Sequence, residues 1–175
     1  MKLNPIDLVV KRGSVTIDVN PDVKAAGNSE RGQAWFKTIN AKQARNLVQI
    51  TNKGDLRVSE GIVGSAALTT AAGAETRLIS AGSNYIGDTV MVNGGLLSAE
   101  AENALSSKST HTVKGVLKLN GHLQTVQKLQ LEGGTVRAGA LWAIDGDVAK
   151  GGEIYAAIAD PKSQPGAGEL AVVSG

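Results

Sequence analysis

The chain has 175 residues, of which 42% are apolar and only 3% aromatic, with 22 glycines, 4 prolines and no cysteine. The lack of cysteine excludes disulfide frameworks, zinc knuckles and thiol nucleophiles, and no apolar stretch has the length of a signal-peptide core or a membrane span. The formal net charge is +2, but residues 1–57 hold ten Lys/Arg against five Asp/Glu and the remainder holds eight against eleven, so the basic front third can meet an acidic partner.

The first strand signal is the alternation of Val15, Ile17 and Val19 with polar residues, which predicts a strand with one buried face. The segments on either side of it have the composition of turns and loops, without periodicity. We therefore predict an extended N-terminal arm over residues 1–33 and a β-rich domain over residues 34–175.

Two short stretches predict helices. Asn40 can cap a helix over residues 41–45, because its side chain can accept a hydrogen bond from a free N–H group of the first turn. Ser98 precedes good helix formers over residues 99–105, with acidic residues in the first turn, where the helix dipole favours them. We expect this second helix to lean on a sheet, since it is too short to be stable alone.

Strand patterns fill most of the remaining chain. Turn residues predict hairpins at Asn52–Asp55 and at Asn120–Gly121, where both positions must tolerate a positive φ. The apolar run Ala140–Ile144 predicts a strand buried on both faces, and Leu170–Val173 predicts a closing strand. About ten short strands, with turn signals mostly about every eight to twelve residues, predict a mainly β fold: a sandwich or barrel with one or two short helices and the extended arm.

No residue pattern with catalytic chemistry is found. His111 and His122 have no carboxylate or second histidine at metal-ligand spacing, so we interpret both as surface or cross-strand residues. The Asp145-Gly146-Asp147 sequence lacks the further oxygens of a calcium loop and is interpreted as a β-turn. The glycine pairs lack the strand-to-helix spacing of a phosphate-binding loop. We therefore predict that the protein is not an enzyme and has no cofactor and no bound metal.

Tryptophans hold most of the aromatic surface. Trp142 lies in the apolar run, which favours a place in the core. Trp35 either packs into the core or, if exposed, is an interface hot spot.

Residues Val116–Val126, with Leu-Asn-Gly-His at positions 119–122, and Leu129–Val136, with Gly-Gly-Thr at positions 133–135, resemble the passenger repeats of autotransporter adhesins. Those proteins build right-handed parallel β-helices from such steps, so the resemblance implies a β-helical adhesin passenger fragment. The sequence shows no second copy at a fixed period, which a solenoid requires, and this function is therefore the alternative.

The stretch Gly134–Leu141, followed by an apolar strand, an Asp-Gly turn and the closing Ala171–Val173, is similar to tailed-bacteriophage capsid decoration (cement) proteins. The resemblance implies a virion structural protein that binds and stabilises the capsid shell and is assembled in the host cytoplasm. Its partners would be the major capsid protein and further copies of itself, as a dimer or trimer, with no nucleic acid and no membrane. A phage tail or baseplate subunit would share these features.

In this interpretation the arm adds a strand to a neighbouring chain, and exposed charges assist the attachment. The partner-binding residues that we predict are Lys11, Arg12, Val15, Ile17, Val19 and Trp35.

Overall fold

The computed structural model describes residues 5–19 and 33–159, and in those ranges it contains β-strands and no α-helix. The strands are β1 (Ile6–Val9), β2 (Ser14–Ile17), β3 (Ala34–Ala41), β4 (Val48–Asn52), β5 (Asp55–Gly64), β6 (Ala66–Thr70), β7 (Glu75–Leu78), β8 (Thr89–Met91), β9 (Leu96–Ala99), β10 (Thr110–Val113), β11 (Val116–Lys118), β12 (Leu123–Val126), β13 (Lys128–Leu131), β14 (Thr135–Ala143), β15 (Asp147–Ala149) and β16 (Glu153–Ala159). Within these ranges no helix could span a membrane.

Every strand pair is parallel, and the strands form two sheets. The long sheet has nine strands in the order β1-β3-β5-β7-β9-β11-β14-β12, with β16 also paired to β14, and the short sheet has seven in the order β15-β13-β10-β8-β6-β4-β2. Up to β11 successive strands alternate between the two sheets, so the chain winds round a common axis. The fold is a parallel β-solenoid of about six turns.

The interior is a set of apolar columns that run along the axis. In the long sheet Val58 is in register with Leu78, and further along Leu97 is in register with Leu117 and Leu117 with Val136. All five side chains are fully buried. Since neighbouring parallel strands lie about 4.8 Å apart, aliphatic side chains of similar size can stack in contact along the axis, which suits a core with almost no aromatic residues.

Within residues 33–159, each coil turns from the short sheet into the long sheet at a small residue. We name these positions the corner column; they are Gly54, Ala74, Gly95, Gly115, Gly134 and Gly152. The carbonyl group of one member accepts a hydrogen bond from the residue after the next member, as when Val116 N–H donates to Gly95 O at 2.8 Å and Thr135 N–H donates to Gly115 O at 2.8 Å. A Cβ atom on Gly115 would lie 2.2 Å from Gly95 O. The close approach of backbones therefore favours glycine at position 115, whereas position 74 accommodates alanine.

The predicted sandwich or barrel is wrong, because the strands pair in parallel with strands of other coils and not with their neighbours in sequence. At Asn52–Asp55 the chain passes from the short sheet to the long sheet instead of forming a hairpin. Asn120 and Gly121 have positive φ values of 51° and 81°, as predicted, but the strands on either side of them, β11 and β12, both pair with β14. Alternation of apolar and polar residues is the same in parallel and antiparallel strands, so it did not distinguish the two folds.

The predicted extended arm is also wrong for the residues described. β1 pairs with β3 and β2 pairs with β4, so residues 5–19 form the first coil of the solenoid. The proposed division between residues 33 and 34 into arm and domain stays a prediction. The predicted strand Leu170–Val173 lies outside the described residues.

Neither predicted helix is present. Asn40 is the penultimate residue of β3, and its side-chain oxygen accepts a hydrogen bond from Lys42 N–H at 3.0 Å, which makes a local turn instead of a helix cap. Ser98 lies in β9, whose backbone is paired with β7 and β11. Apart from Ala41 and Ala99, which end β3 and β9, both predicted helices fall on turns between strands. Segments this short are not stable as helices by themselves, and the stacked coils fix the backbone at both ends of each turn.

The run Ala140–Ile144 is buried on one face, not on both. Leu141 and Ala143 point into the core, whereas Trp142 is half-buried and Ile144 is 40% exposed. The expectation that Trp142 is a core residue is therefore wrong.

Buried polar side chains satisfy one another inside the coils. Asn52 donates to Glu75 O and to Thr76 Oγ1, both at 2.9 Å, and accepts from Gly54 N–H at 3.0 Å. The hydroxyl groups of Tyr85, Thr89 and Ser109 form a chain with distances of 2.6 and 2.7 Å. Such networks offset the cost of removing polar groups from water and hold one coil in register with the next.

His111 is a fully buried exception. Its Nδ1 lies 3.0 Å from Ser109 O, and because a carbonyl oxygen can only accept, Nδ1 carries the proton of the neutral ring. Nε2 has no hydrogen-bond partner among the described residues. Burial lowers the pKa of His111 to about 4, against the smaller opposing effect of the hydrogen bond to Ser109.

We expect Gly115→Ala to lower the free energy of unfolding by about 1–3 kcal/mol, because the added methyl group meets a backbone oxygen that cannot move without separating two coils. The matched control is Ala74→Gly in the same column, which should cost only about 0.5–1 kcal/mol through backbone entropy. Urea unfolding measures both. A Gly115→Ala protein as stable as the wild type would contradict the close approach of coils at this corner.

We expect stability to fall between pH 6.5 and pH 4 because of His111. In this range the unfolded chain binds a proton at His111 that the folded chain does not, so folding is favoured above pH 6.5 and the advantage is lost as the pH falls towards about 4. The loss amounts to about 3 kcal/mol. The non-titrating variant His111→Asn, unfolded by urea at the same pH values, should lack this component. If the wild type and the variant lose the same amount of stability over this pH range, the result would contradict a buried neutral imidazole at His111.

Candidate functional site

The described residues do not assemble a recognisable catalytic or metal centre. They contain no group of three or more His, Asp or Glu side chains that could hold a metal ion. The chain of hydroxyl groups from Tyr85 to Ser109 lies inside the core, where burial raises the pKa of Tyr85 to about 12. Side chains that a ligand could reach lie on the outer surface, and the absence of enzymatic activity stays a prediction.

Trp35 lies on the outer face of β3 and is 44% exposed. Its indole N–H donates to Ser59 Oγ at 2.6 Å, and the guanidinium carbon of Arg57 lies 4.9 Å from the centre of its ring. A cation stacked on an aromatic face is favourable. The side chains of Trp35 and Arg57 therefore hold each other in place on adjacent strands of the long sheet. The predicted role of Trp35 in partner binding stays a prediction.

Val15, Ile17 and Val19 all face the interior. Ile17 is buried, and Val15 and Val19 are half-buried against the core. β2 is the last strand of the short sheet, so a partner strand would meet its backbone edge and not these three side chains. Their assignment as partner-binding residues stays a prediction.

Lys11 and Arg12 lie in the turn between β1 and β2, directly beside the turn between β3 and β4. Together with Gln43, Arg45 and Asn46 of the second turn they line an open cleft of about 450 Å³. The structure thus brings two of the predicted partner-binding residues to a common site, while Trp35 lies at the opposite end of β3.

The backbone fixes both turns of the cleft. Val10 N–H donates to Asn40 O at 2.8 Å before the turns, and Gln49 N–H donates to Gly13 O at 3.3 Å after them. Gly13 has a φ of +81°, which lets the first turn reverse tightly. The second turn is closed by Ala44 N–H, which donates to Ala41 O at 3.1 Å. The cleft is therefore a product of the parallel stacking of the first two coils.

The charge of the cleft is positive. Lys11, Arg12 and Arg45 are exposed, and no acidic side chain is among the residues that line the cleft. The ion pairs formed within the described parts of the chain lie elsewhere, on later coils or on the body of β3, and are Lys37–Glu60, Arg77–Glu75, Arg77–Glu100 and Lys114–Glu132. Three cations in one concave place, without an acidic residue in its lining, favour binding of a negatively charged group.

Sequence reasoning missed Gln43, Arg45 and Asn46, because it assigned most of this segment to a helix. Turn residues in the sequence gave no sign that this segment would meet Lys11 and Arg12, about thirty residues earlier in the chain. Only the parallel pairing of β1 with β3 and of β2 with β4 brings them together.

Comparisons of the chain with protein-family models, curated proteins and solved structures found no match. The chain is therefore described by its fold, a parallel β-solenoid with a cationic cleft at the side of its first two coils.

Proposed function

We propose that the chain is a β-helical binding module of the adhesin type, a rod that presents binding sites on its outer faces and performs no catalysis. The proposal rests on one observation: the stretch that resembles autotransporter passenger repeats forms a single coil of the solenoid. Residues 116–136 run through β11, β12, β13 and the start of β14, which is one complete coil of the solenoid. The Asn120-Gly121 step bends the chain within this coil, and Gly134 is a member of the corner column.

The architecture suits such a role because inward and outward positions are separated. Inward positions are constrained by the stacked core and by the corner column. Outward positions meet only solvent and the equivalent residues of adjacent coils, so they can carry binding groups without loss of the fold. The cleft between the first two coils is one such group of outward residues, and the outer face with Trp35 is another.

The capsid-decoration function is a second proposal, supported by the similarity of Gly134–Leu141 to cement proteins. In the structure this segment comprises one corner and most of β14. Among the strands that the structure describes, β2 is the last of the short sheet, and its backbone edge would serve for strand addition to a major capsid protein. A decoration protein, or a tail or baseplate subunit, would act as a homo-oligomer in a virion assembled in the host cytoplasm.

We expect beads coated with the purified protein to be retained under flow on at least one of four surfaces: immobilised sulfated glycosaminoglycan, mucin, collagen or intact bacterial cells. Beads coated with a Gly115→Val variant are the control, because this variant keeps every charge but cannot close the coils. Equal retention of both kinds of bead would mean that the folded solenoid is not needed for adhesion. Retention on none of the surfaces, with co-sedimentation on phage capsids instead, would replace the adhesin proposal by the decoration proposal.

A further inference from the structure

We infer that the cleft lined by Lys11, Arg12, Gln43, Arg45 and Asn46 binds an acidic glycan through a sulfate or carboxylate group. The inference rests on the proposed binding function and names the class of ligand for this one site. The volume of about 450 Å³ lies within the range of about 300–1,000 Å³ that is usual for small-molecule sites.

The cations supply the first part of the recognition. Arg12 and Arg45 come from different coils and border the same cleft. A guanidinium group presents its N–H donors in a planar fork that matches the oxygens of a sulfate or carboxylate, and Lys11 adds a more flexible positive charge. Lys42 follows directly after β3 and raises the local positive charge further, while the two turns contain no acidic residue.

The amides supply the second part. Gln43 and Asn46 are exposed and line the cleft beside the cations. A primary amide both donates and accepts, so it can pair with sugar hydroxyl groups, which also do both. A free sulfate ion has no hydrogen-bond donor, so it cannot pair with the amide oxygens. The mixture of three cations and two amides therefore favours an anionic group carried on a polyhydroxylated chain.

The rigidity of the site supports binding at a modest cost in entropy. Both turns are anchored by backbone hydrogen bonds at their ends, and the second is closed by the bonds of Lys42 N–H to Asn40 Oδ1 and of Ala44 N–H to Ala41 O. A ligand thus meets a backbone that is already in place, and only side chains must be ordered.

The lining argues against nucleic acid as the ligand. Proteins that bind single strands combine positive charge with aromatic side chains on which bases stack. The described lining residues include no aromatic side chain, and Trp35 is separated from the cleft by most of the length of β3. One face of its ring is also covered by the guanidinium group of Arg57.

The test is calorimetric titration of the full chain, at low ionic strength, with a heparin-derived sulfated hexasaccharide, a polygalacturonate hexasaccharide and inorganic sulfate. We expect one of the two hexasaccharides to bind, and inorganic sulfate to bind much more weakly. The double variant Arg12→Gln/Arg45→Gln should weaken binding by about ten-fold, as two exposed charge contacts are lost. The matched control Lys118→Gln/Arg137→Gln removes two cations from adjacent strands of the long sheet and should change affinity by less than about two-fold.

Equal weakening in the two double variants would overturn the inference, because binding would then follow total charge. Inorganic sulfate binding as tightly as either hexasaccharide would reduce the site to one for free anions. Tighter binding of a single-stranded oligonucleotide of matched charge would replace the glycan by nucleic acid. This inference and the adhesin proposal can fail separately. If beads coated with the Arg12→Gln/Arg45→Gln protein still adhere to a surface, the adhesin proposal holds and the cleft is not the site responsible.

Discussion

Backbone hydrogen bonds between coils hold this molecule together, and they are regular because the coils approach closely at one corner. Glu75 N–H donates to Gly54 O at 3.0 Å, Leu96 N–H to Ala74 O at 3.0 Å and Glu153 N–H to Gly134 O at 2.9 Å, so the same contact recurs along the axis. Small residues at the corner column permit this approach. The apolar columns, the polar networks and the placement of the surface turns all follow from the register that these bonds set.

The same stacking decides which side chains are buried. His111 is in register with Thr89 on one side and with Leu129 on the other, which places an ionisable ring where water cannot solvate its charged form. Lys11 and Arg12 lie in a turn, and turns project from the stack. The charged side chains of Lys11, Arg12 and Arg45 therefore remain in contact with water, and the side-by-side position of the two turns brings them to the same cleft.

Much of the secondary structure could be predicted from the sequence, and the topology could not. The alternation of Val15, Ile17 and Val19 located β2, and turn residues marked the bends at Asn52–Asp55 and Asn120–Gly121. Alternation carries no information on whether neighbours in space are also neighbours in sequence. The repeat was present but irregular: members of the corner column are 18 to 21 residues apart, and Ala74 replaces glycine in one of them. A search for a fixed period cannot find such a repeat. Once the coils are aligned, glycine is followed two residues later by an apolar residue at every member of the corner column except Ala74, which is followed by Thr76.

Only some of the residues that line the cleft could be predicted from the sequence. Lys11 and Arg12 stood out as part of a basic front segment, but Arg45 was assigned to a helix, and its meeting with Arg12 depends on the parallel pairing of the first coils. The candidate site therefore depends directly on the topology, and the topology can be tested by proximity.

The chain has no cysteine, so introduced pairs can be bridged without interference. Thr51 and Thr69 are in register on adjacent strands of the short sheet, whereas Thr51 and Arg57 lie on different sheets although they are close in sequence. The decisive measurement is bridging of the native double variants by the short thiol cross-linker dibromobimane. The parallel solenoid predicts efficient bridging in Thr51→Cys/Thr69→Cys, lost in urea, and little in native Thr51→Cys/Arg57→Cys. The opposite result would show that a hairpin joins β4 to β5 and would contradict the coil stacking.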